Sequence, residues 1–514
     1  MAAANKQDSN NTGLRYAEEE SYGTLPVTPI WYPLEPNSYD DFGGEVKTVA
    51  RNPINASRQR KKGNIVDLDA SGGFDSDITQ TNMQDILQGF FFADVRTKAT
   101  QLIDSITTQT GDDTIEIAET DGIIIGDLIF VTGAGTSGNN GLKRVTDVNV
   151  DTSLEVAETL VTEASPPADA QVVVVGHQFA SADVNVTTSG NFATYTCTAG
   201  DFTDLNLVPG EWIYVGGDSS TLRFSTSANN GWKRVRSVST LALVVDKSTS
   251  AMVNETGTGK TIQIFIGRVY KNESDPTLIV RRSYNLERTL GASDTALPTQ
   301  IQSEYLVGAV PNELGLNIQK ADKVTIDLSF VAKDHETRDG ATGVKSGTRP
   351  TLVDADPINT SSDFSRIKLA TVSSSSEAPT ALFAFVNEIT ISLNNNISPN
   401  KAVGVLGAFD CTAGTFEVGG EINAYFADVA AVAAVRANSD VTLDIVVYKS
   451  NTGFVLDLPL LTLGNGRLDV QQDEPITLPL SMDAATAAKI TSTMDYTLMM
   501  CFFDYVPTLA DTVT

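Results

Sequence analysis

The chain has 514 residues, 41% of them hydrophobic, and its 64 acidic against 36 basic side chains give a formal net charge of −28. That length exceeds what one hydrophobic core serves, so two to four domains are expected, and the apolar content is enough to fill them. The charge excludes an ordinary nucleic-acid binder, which needs a basic footprint to displace counterions from phosphate; it suits either plain solubility or a surface past which DNA slides without sticking.

Residues 1 to 13 are polar, without the apolar core of a secretory leader. From 14 to 50, Tyr16, Tyr22, Trp31, Tyr32 and Tyr39 alternate with Pro26, Pro29, Pro33 and Pro36, a texture that forbids helix and prefers extended backbone. Trp31 and Tyr32 are therefore candidate anchors for a neighbouring subunit, or they fold back on their own domain. The run Arg58, Arg60, Lys61 and Lys62 either meets an acidic surface on a neighbour or stands as a solvated loop.

Asn64 to Ala70 and Gly73 to Thr79 have the period of strands. Val66, Leu68 and Ala70, then Phe74, Ser76 and Ile78, point one way, and Asp67, Asp69, Asp75 and Asp77 share a solvent-facing sheet surface. Gly72-Gly73 suits a bulge or tight bend. Thr81 and Gln84 spell a capping box, and Met83, Ile86, Leu87, Phe90 and Phe91 follow at helical spacing.

Between about 105 and 270 the chain repeats itself. GDLIFV at Gly126 matches GEWIYV at Gly210, and NNGLKRVTDV at Asn139 matches NNGWKRVRSV at Asn229. Asn-Gly between alternating strands signals hairpins, so two small all-β modules stand inserted here. Strands resume after Pro276, with Val324, Ile326, Leu328 and Phe330 inward. A long polar stretch from Asp334 to about Thr380 reads as a functional loop.

The last part restates the order of the first. Ile389, Ile391 and Leu393 alternate, Gly419-Gly420 matches Gly72-Gly73, and Glu417 and Glu421 face outward opposite Val418 and Ile422. An Ala-rich helix from Val429 stops at Asn438, with strands at 441–448, 454–463 and 497–505 and a short helix at 484–490. The fold class is mainly β, built from two lobes, each a β-sandwich or barrel with a flanking helix, plus the two modules.

Catalytic and metal patterns fail one by one. The two histidines, His177 and His335, have no triad context. GTGKT at Gly257 lacks the leading Gly of a phosphate loop and reads as a turn, and the calcium-like start at Asp67 would place Ile78 where the closing Glu belongs. Cys197, Cys411 and Cys501 lie far apart and read as reduced buried thiols. No run of 18 apolar residues exists for a membrane span. The sequence suggests no enzyme, metal or cofactor.

Three segments, INASRQRKKGNIVDLDASGGFDSDITQTNMQDILQGFF, LERTLGASDTALPTQIQSEYLVGAVPNELGLNIQKADKVTIDLSFVAKD and EITISLNNNISPNKAVGVLGAFDCTAGTFEVGGEINAYFAD, together resemble the major tail tube proteins of long-tailed, siphovirus-type bacteriophages. The resemblance implies tube lobes whose rings stack into a hollow tail through which the genome is ejected, assembled in the host bacterial cytoplasm and located in the virion tail. Two lobes per chain imply a trimer with pseudo-sixfold rings, with a true hexamer as the alternative. Partners are then the chain itself, other tail proteins, and DNA passing without specific binding. Asp67, Asp69, Asp75, Asp77, Glu417 and Glu421 become candidates for the lumen face.

The domain expectation is an N-terminal arm (1–50), lobe 1 (51–104 and 271–333), modules at 105–182 and 183–270, a stacking loop (334–383) and lobe 2 (384–514). The modules depart from the family pattern and are expected to decorate the outside. A rival reading is a receptor-binding or decoration protein of the virion, whose modules bind a host-surface glycan.

Overall fold

The computed structural model describes residue 9 and residues 12–54, 56, 58–108, 113–190, 192–246, 251–291, 301–373, 376–382, 385–489, 491 and 493–508. It is mainly β, as the alternation implies. One succession of seven strands and a helix is used twice. The first run is β1 (Gly13–Glu18), β2 (Pro36–Arg51), β3 (Lys61–Asp77), α1 (Gln84–Phe91), β4 (Tyr284–Gly291), β5 (Gln302–Gln319), β6 (Thr325–Ala332) and β7 (Asp334–Arg338). The second is β8 (Phe364–Ser373), β9 (Val386–Asn394), β10 (Glu417–Tyr425), α2 (Ala430–Arg436), β11 (Val441–Lys449), β12 (Thr452–Asn465), β13 (Thr477–Ala484) and β14 (Met499–Phe503).

The antiparallel ladders repeat with the elements. In the first run β1 pairs with β4, β4 with β5, β5 with both β6 and β7, and β6 with β3. In the second, β8 pairs with β11, β11 with β12, β12 with both β13 and β14, and β13 with β10. Loop closure over such separations is entropically costly, and the reward is two apolar faces per run that only the full set of strands can bury.

By density of contacts the chain divides into two compact units, one of residues 1–93, 275–360 and 387–422 and one of residues 94–274, 361–386 and 423–514. In the first, α1 lies on the apolar face of the β3–β6–β5 sheet. Phe90 meets Phe330 edge-on at 5.4 Å and Phe330 stacks on Phe74 at 6.3 Å. Gly89 permits this approach: a Cβ there would lie 2.7 Å from the Tyr284 ring. The helix takes its N-cap at Met83, two residues past the expected Thr81. Asn82 instead turns its carboxamide back, accepting from Thr79 N and donating to Asp77 O, and the helix begins at Met83 without a side-chain cap.

Gly72 and Gly73 sit in unbroken pairing with β6; the irregularity lies opposite them in β2, between Asp40 and Gly43. Their lack of a side chain serves close approach, since a Cβ on Gly73 would stand 2.8 Å from Leu328 O. The stretch from Asp334 to Thr380, read as one loop, is strand at both ends: β7 pairs with β5 and β8 with β11. Its polar composition concealed β7, an edge strand with one partner among the described residues, and β8, which lies between β11 and the strand Ser376–Ala381.

In the second unit the first inserted module is a closed six-stranded barrel. Thr100–Thr107, Asp113–Ile117, Ser153–Val156, Gly141–Asn149, Asp127–Thr132 and Gln171–Gln178 pair in that order, and the last returns to the first. The second module repeats the order with Asn185–Ser189, Phe192–Thr196, Ala242–Asp246, Gly231–Ser239, Trp212–Val215 and Gln263–Phe265. The two join where Gln263–Phe265 pairs with Gln171–Gln178.

Asn-Gly in each module ends a 3-10 turn within a longer connection, and is not a two-residue hairpin turn. The Asn side chains lock that connection. Asn139 Nδ2 donates to Glu163 and Asn140 Oδ1 accepts from Ala134 N, and Asn229 with Glu255 and Asn230 with Phe224 N repeat the same bonds. The module surface of the second repeat packs on the sheet of the second run. Trp212, Trp232 and Phe265 share a buried cluster with Val446, Val455, Met499 and Phe503. The expected helix at 484–490 is the 3-10 turn Ala487–Lys489, with Ile490 outside the described residues.

Candidate functional site: an acidic sheet face and a protruding hairpin

Strand register explains why one face of the first unit is acidic. Phe74, Leu328, Leu314 and Leu393 form one cross-strand row on β3, β6, β5 and β9, and all four are buried. The neighbouring row, one residue along each strand, must then face the other way. It reads Asp75, Asp327, Gly315 and Ser392, flanked by Asp77, Thr325, Asn317 and Thr390 on one side and Gly73, Ser329, Glu313 and Asn394 on the other. Asp75 and Asp327 stand directly opposite each other, and small and neutral polar residues fill the rest of the row.

This face is concave. A hollow of about 620 Å³ is lined by Asp40, Asp41, Glu313 and Asp327 among backbone of Gly72, Gly73 and Gly315, and no Lys or Arg lines it. Burial, helped by the nearby charges of Asp75 and Asp40, pushes the Asp327 carboxyl above the usual carboxylate range. Asn317 partly offsets this by donating to Asp327 at 2.6 Å.

The structure separates the four aspartates of β3 into two pairs. Asp75 and Asp77 lie on the sheet face, where Asp75 accepts from Ser38 and Asp77 meets Lys323 Nζ at 2.7 Å. Asp67 and Asp69 lie further out and are neutralised by Lys47 and Lys401, which hold the Asp69 carboxyl below its ordinary range. Glu417 and Glu421 are exposed on β10, and Glu421 N donates to Thr390 Oγ1, beside the row just described.

The second feature is the arm made by β2 and β3. Their ladder runs from Pro36 opposite Ser76 to Arg51 opposite Lys61, so the Pro-rich, Tyr-rich segment ends as a 16-residue strand. Beyond Glu45 the arm leaves the body of its unit, and Val46, Val49, Ile65 and Val66 are about half exposed, at 48%, 59%, 60% and 54%. Arg58, Arg60, Lys61 and Lys62 stand exposed at its tip, and Ile54 is fully exposed beside them. A long edge bearing apolar side chains and cations is the kind of surface that ordinarily needs a partner.

Trp31 is not part of that surface. It is wholly buried, donates from Nε1 to Ser346 O at 3.0 Å, and packs on Tyr305 at 5.8 Å under the Arg349 guanidinium. Tyr32 is half-buried, 5.4 Å from Tyr16.

His177 Nδ1 pairs with Asp127 at 2.8 Å against Phe179, His335 lies in β7, and the three cysteines are free and buried. Lys260 of GTGKT donates to Ser220 O in a turn. Among the described residues no helix is long and apolar enough to cross a membrane.

Sequence reasoning missed a buried ion network in the second unit. Arg234 bridges Asp246 at 2.7 Å and Asp457 at 3.1 Å, Arg236 shares Asp246 at 3.0 Å, and Tyr496 donates to Asp457 at 2.8 Å. Lys233 beside it is fully buried, with Nζ donating to Ala228 O, and burial pushes its ammonium down to about 7. The native state therefore releases this proton far more readily than the unfolded chain, and stability should rise with pH between about 7 and 10. We expect Lys233→Met to raise the melting temperature below pH 7 and this advantage to shrink towards pH 10, which thermal scans across pH will check.

No individual curated protein matches the sequence. A family model described as phage tail tube protein matches residues 9–484. That span holds the first run, all of the second but its last strand, the acidic sheet face and the arm, and so this chain belongs to the phage tail tube protein family, a structural component of the virion tail that assembles with itself and with other tail proteins.

Proposed function

We propose that the chain is the repeating subunit of the tail tube, three copies closing into a ring of six lobes and rings stacking into the conduit for DNA ejection. The observation that carries this reading is the junction between the two runs of the repeat. β9, the counterpart of β2, pairs with β5 from Glu313 to Gln319, so the first sheet passes directly into the next run. β12 is the counterpart of β5, and beyond Leu461 the equivalent edge has no strand ladder among the described residues. The outer edge of β2 has none either. Joining the β12 edge of one copy to the β2 edge of the next repeats the internal junction, and a heterologous contact of this kind closes a ring when the rotation suits.

In such a ring Asp75, Asp77, Asp327, Glu313, Glu417 and Glu421 line the lumen. Their charge keeps the phosphate backbone from adhering. Asp67 and Asp69, already paired with lysines, take the rim where the arm departs. The arm, with Arg58, Arg60, Lys61 and Lys62, makes the stacking contact to the next ring, and the two modules decorate the outside.

Negative-stain microscopy of the concentrated protein, with native mass spectrometry of single rings, tests the reading. The expected result is stacked hollow rings of three chains. Rings of six chains would overturn the stoichiometry, and discrete monomers at every concentration would overturn the tube.

A further inference from the structure

We propose that the two inserted modules and the C-terminal segment form a binding site for one neutral hexopyranose unit. Leu142, Arg144 and Glu158 of the first module, Gln263 and Phe265 of the second and Tyr505 line a cavity of about 210 Å³. Clefts for drug-sized ligands run from about 300 to 1,000 Å³, so this one suits a single sugar ring.

The duplication supplies the strongest argument. Arg144 and Arg234 occupy the same place in the repeated Gly-x-Lys-Arg-Val segment. Arg234 is buried between two carboxylates and is fully used by the fold. The Arg144 guanidinium has no ion-pair or hydrogen-bond partner among the described residues; only its backbone is engaged, with Arg144 N donating to Glu158 Oε2 at 2.7 Å. One copy of the residue thus has a structural task, and the other faces an open cavity.

The remaining lining matches a polyhydroxylated ring, which presents hydroxyls at its rim and C–H groups on its faces. Tyr505 is held at 5.3 Å from Phe130 and 5.8 Å from Phe265, and its hydroxyl makes no hydrogen bond among the described residues. Leu142 and Phe265 complete the apolar wall. Gln263 Nε2 donates to Gln178 Oε1 at 2.9 Å, which orients both amides towards the cavity they line. Donors on Arg144, Tyr505 and Gln178 and acceptors on Glu158 and Asp218 therefore line one cavity, and carboxylates beside the guanidinium disfavour an acidic sugar. The Asn residues of the two NNG segments take no part, being engaged inside their modules.

Saturation-transfer NMR on the full chain tests this, using methyl glycosides of glucose, galactose and mannose alongside the free sugars. At least one probe should bind saturably with Kd on the order of 1 mM. Arg144→Ala and Tyr505→Phe should each weaken it at least tenfold while leaving the melting temperature in place. Binding of methyl glycosides identifies the end of a glycan chain as the ligand, whereas binding of reducing sugars alone identifies a free sugar. No saturable signal up to roughly 50 mM, well above that Kd, overturns the site. So does binding that both variants leave untouched. Neither outcome bears on ring formation, which microscopy reads separately.

Discussion

A subunit carrying Arg58→Glu, Arg60→Glu, Lys61→Glu and Lys62→Glu will fold with the wild-type melting temperature and fail to stack. Arg58 and Arg60 lie in the turn at the tip of the β2–β3 arm and Lys61 and Lys62 open β3, with Lys61 opposite Arg51; all four are exposed, so the fold should lose little by the change. The chain they would meet is strongly acidic, at −28 overall. Reversing four charges turns attraction into like-charge contact, and such juxtaposition at an interface costs several kcal/mol, on the order of a hundredfold or more in affinity. Sedimentation and tube length in micrographs measure the effect. High salt should weaken wild-type stacking in the same direction, because screening acts on exposed charges. If the variant builds tubes of normal length, the tip is a solvated loop.

The arm also carries Val46, Val49, Ile65 and Val66 half-exposed, each able to contribute up to about 1.5–3 kcal/mol if a neighbour covers it fully. The charge-reversed variant leaves these in place. Residual short stacks in low salt would therefore measure the apolar share of the contact.

The second large effect lies in the buried network. Asp457→Ala should destabilise the second unit by about 3–5 kcal/mol, because it leaves a buried guanidinium short of a partner. Arg234 would then keep one of its two carboxylates, Asp246, which Arg236 also engages, and the Tyr496 hydroxyl would lose its 2.8 Å bond. Burial pushes the Asp457 carboxyl up against the pull of Arg234, while the two carboxylates hold Arg234 charged. For a unit of this size each kcal/mol shifts the melting temperature by roughly 2–4 °C, so a drop of about 6–20 °C is expected in calorimetry. Replacing Arg234, Asp246 and Asp457 together with apolar residues should cost far less, since no charge is then stranded. Arg234 belongs to the second module and Asp457 to β12, so the single variant should also loosen the module from that sheet, readable as faster amide exchange along Gly231–Ser239.

What the sequence determined by itself is the set of faces. A period of two is a local property, and it placed Phe74, Leu328, Ile391 and Val418 inside and Asp75, Asp77, Glu417 and Glu421 outside without knowledge of any partner strand. The same holds for α1 and α2, whose apolar spacing falls within one turn of the observed ends, and for the twin modules, visible as repeated words. The family resemblance rests on these same segments.

Tertiary structure alone decided the partners. Nothing local tells Pro36–Arg51 that it will pair with Lys61–Asp77, because its prolines and tyrosines fit any extended backbone. Trp31 is a core residue only because Tyr305 and Ser346, some 270 residues away and more, come to it. Arg144 and Arg234 share a sequence context and differ in fate, since the second has Asp457 brought against it and the first has a cavity. Local periodicity fixes which side of a strand is dry; long-range burial, which must offset the entropy of closing large loops, chooses the strand it lies beside.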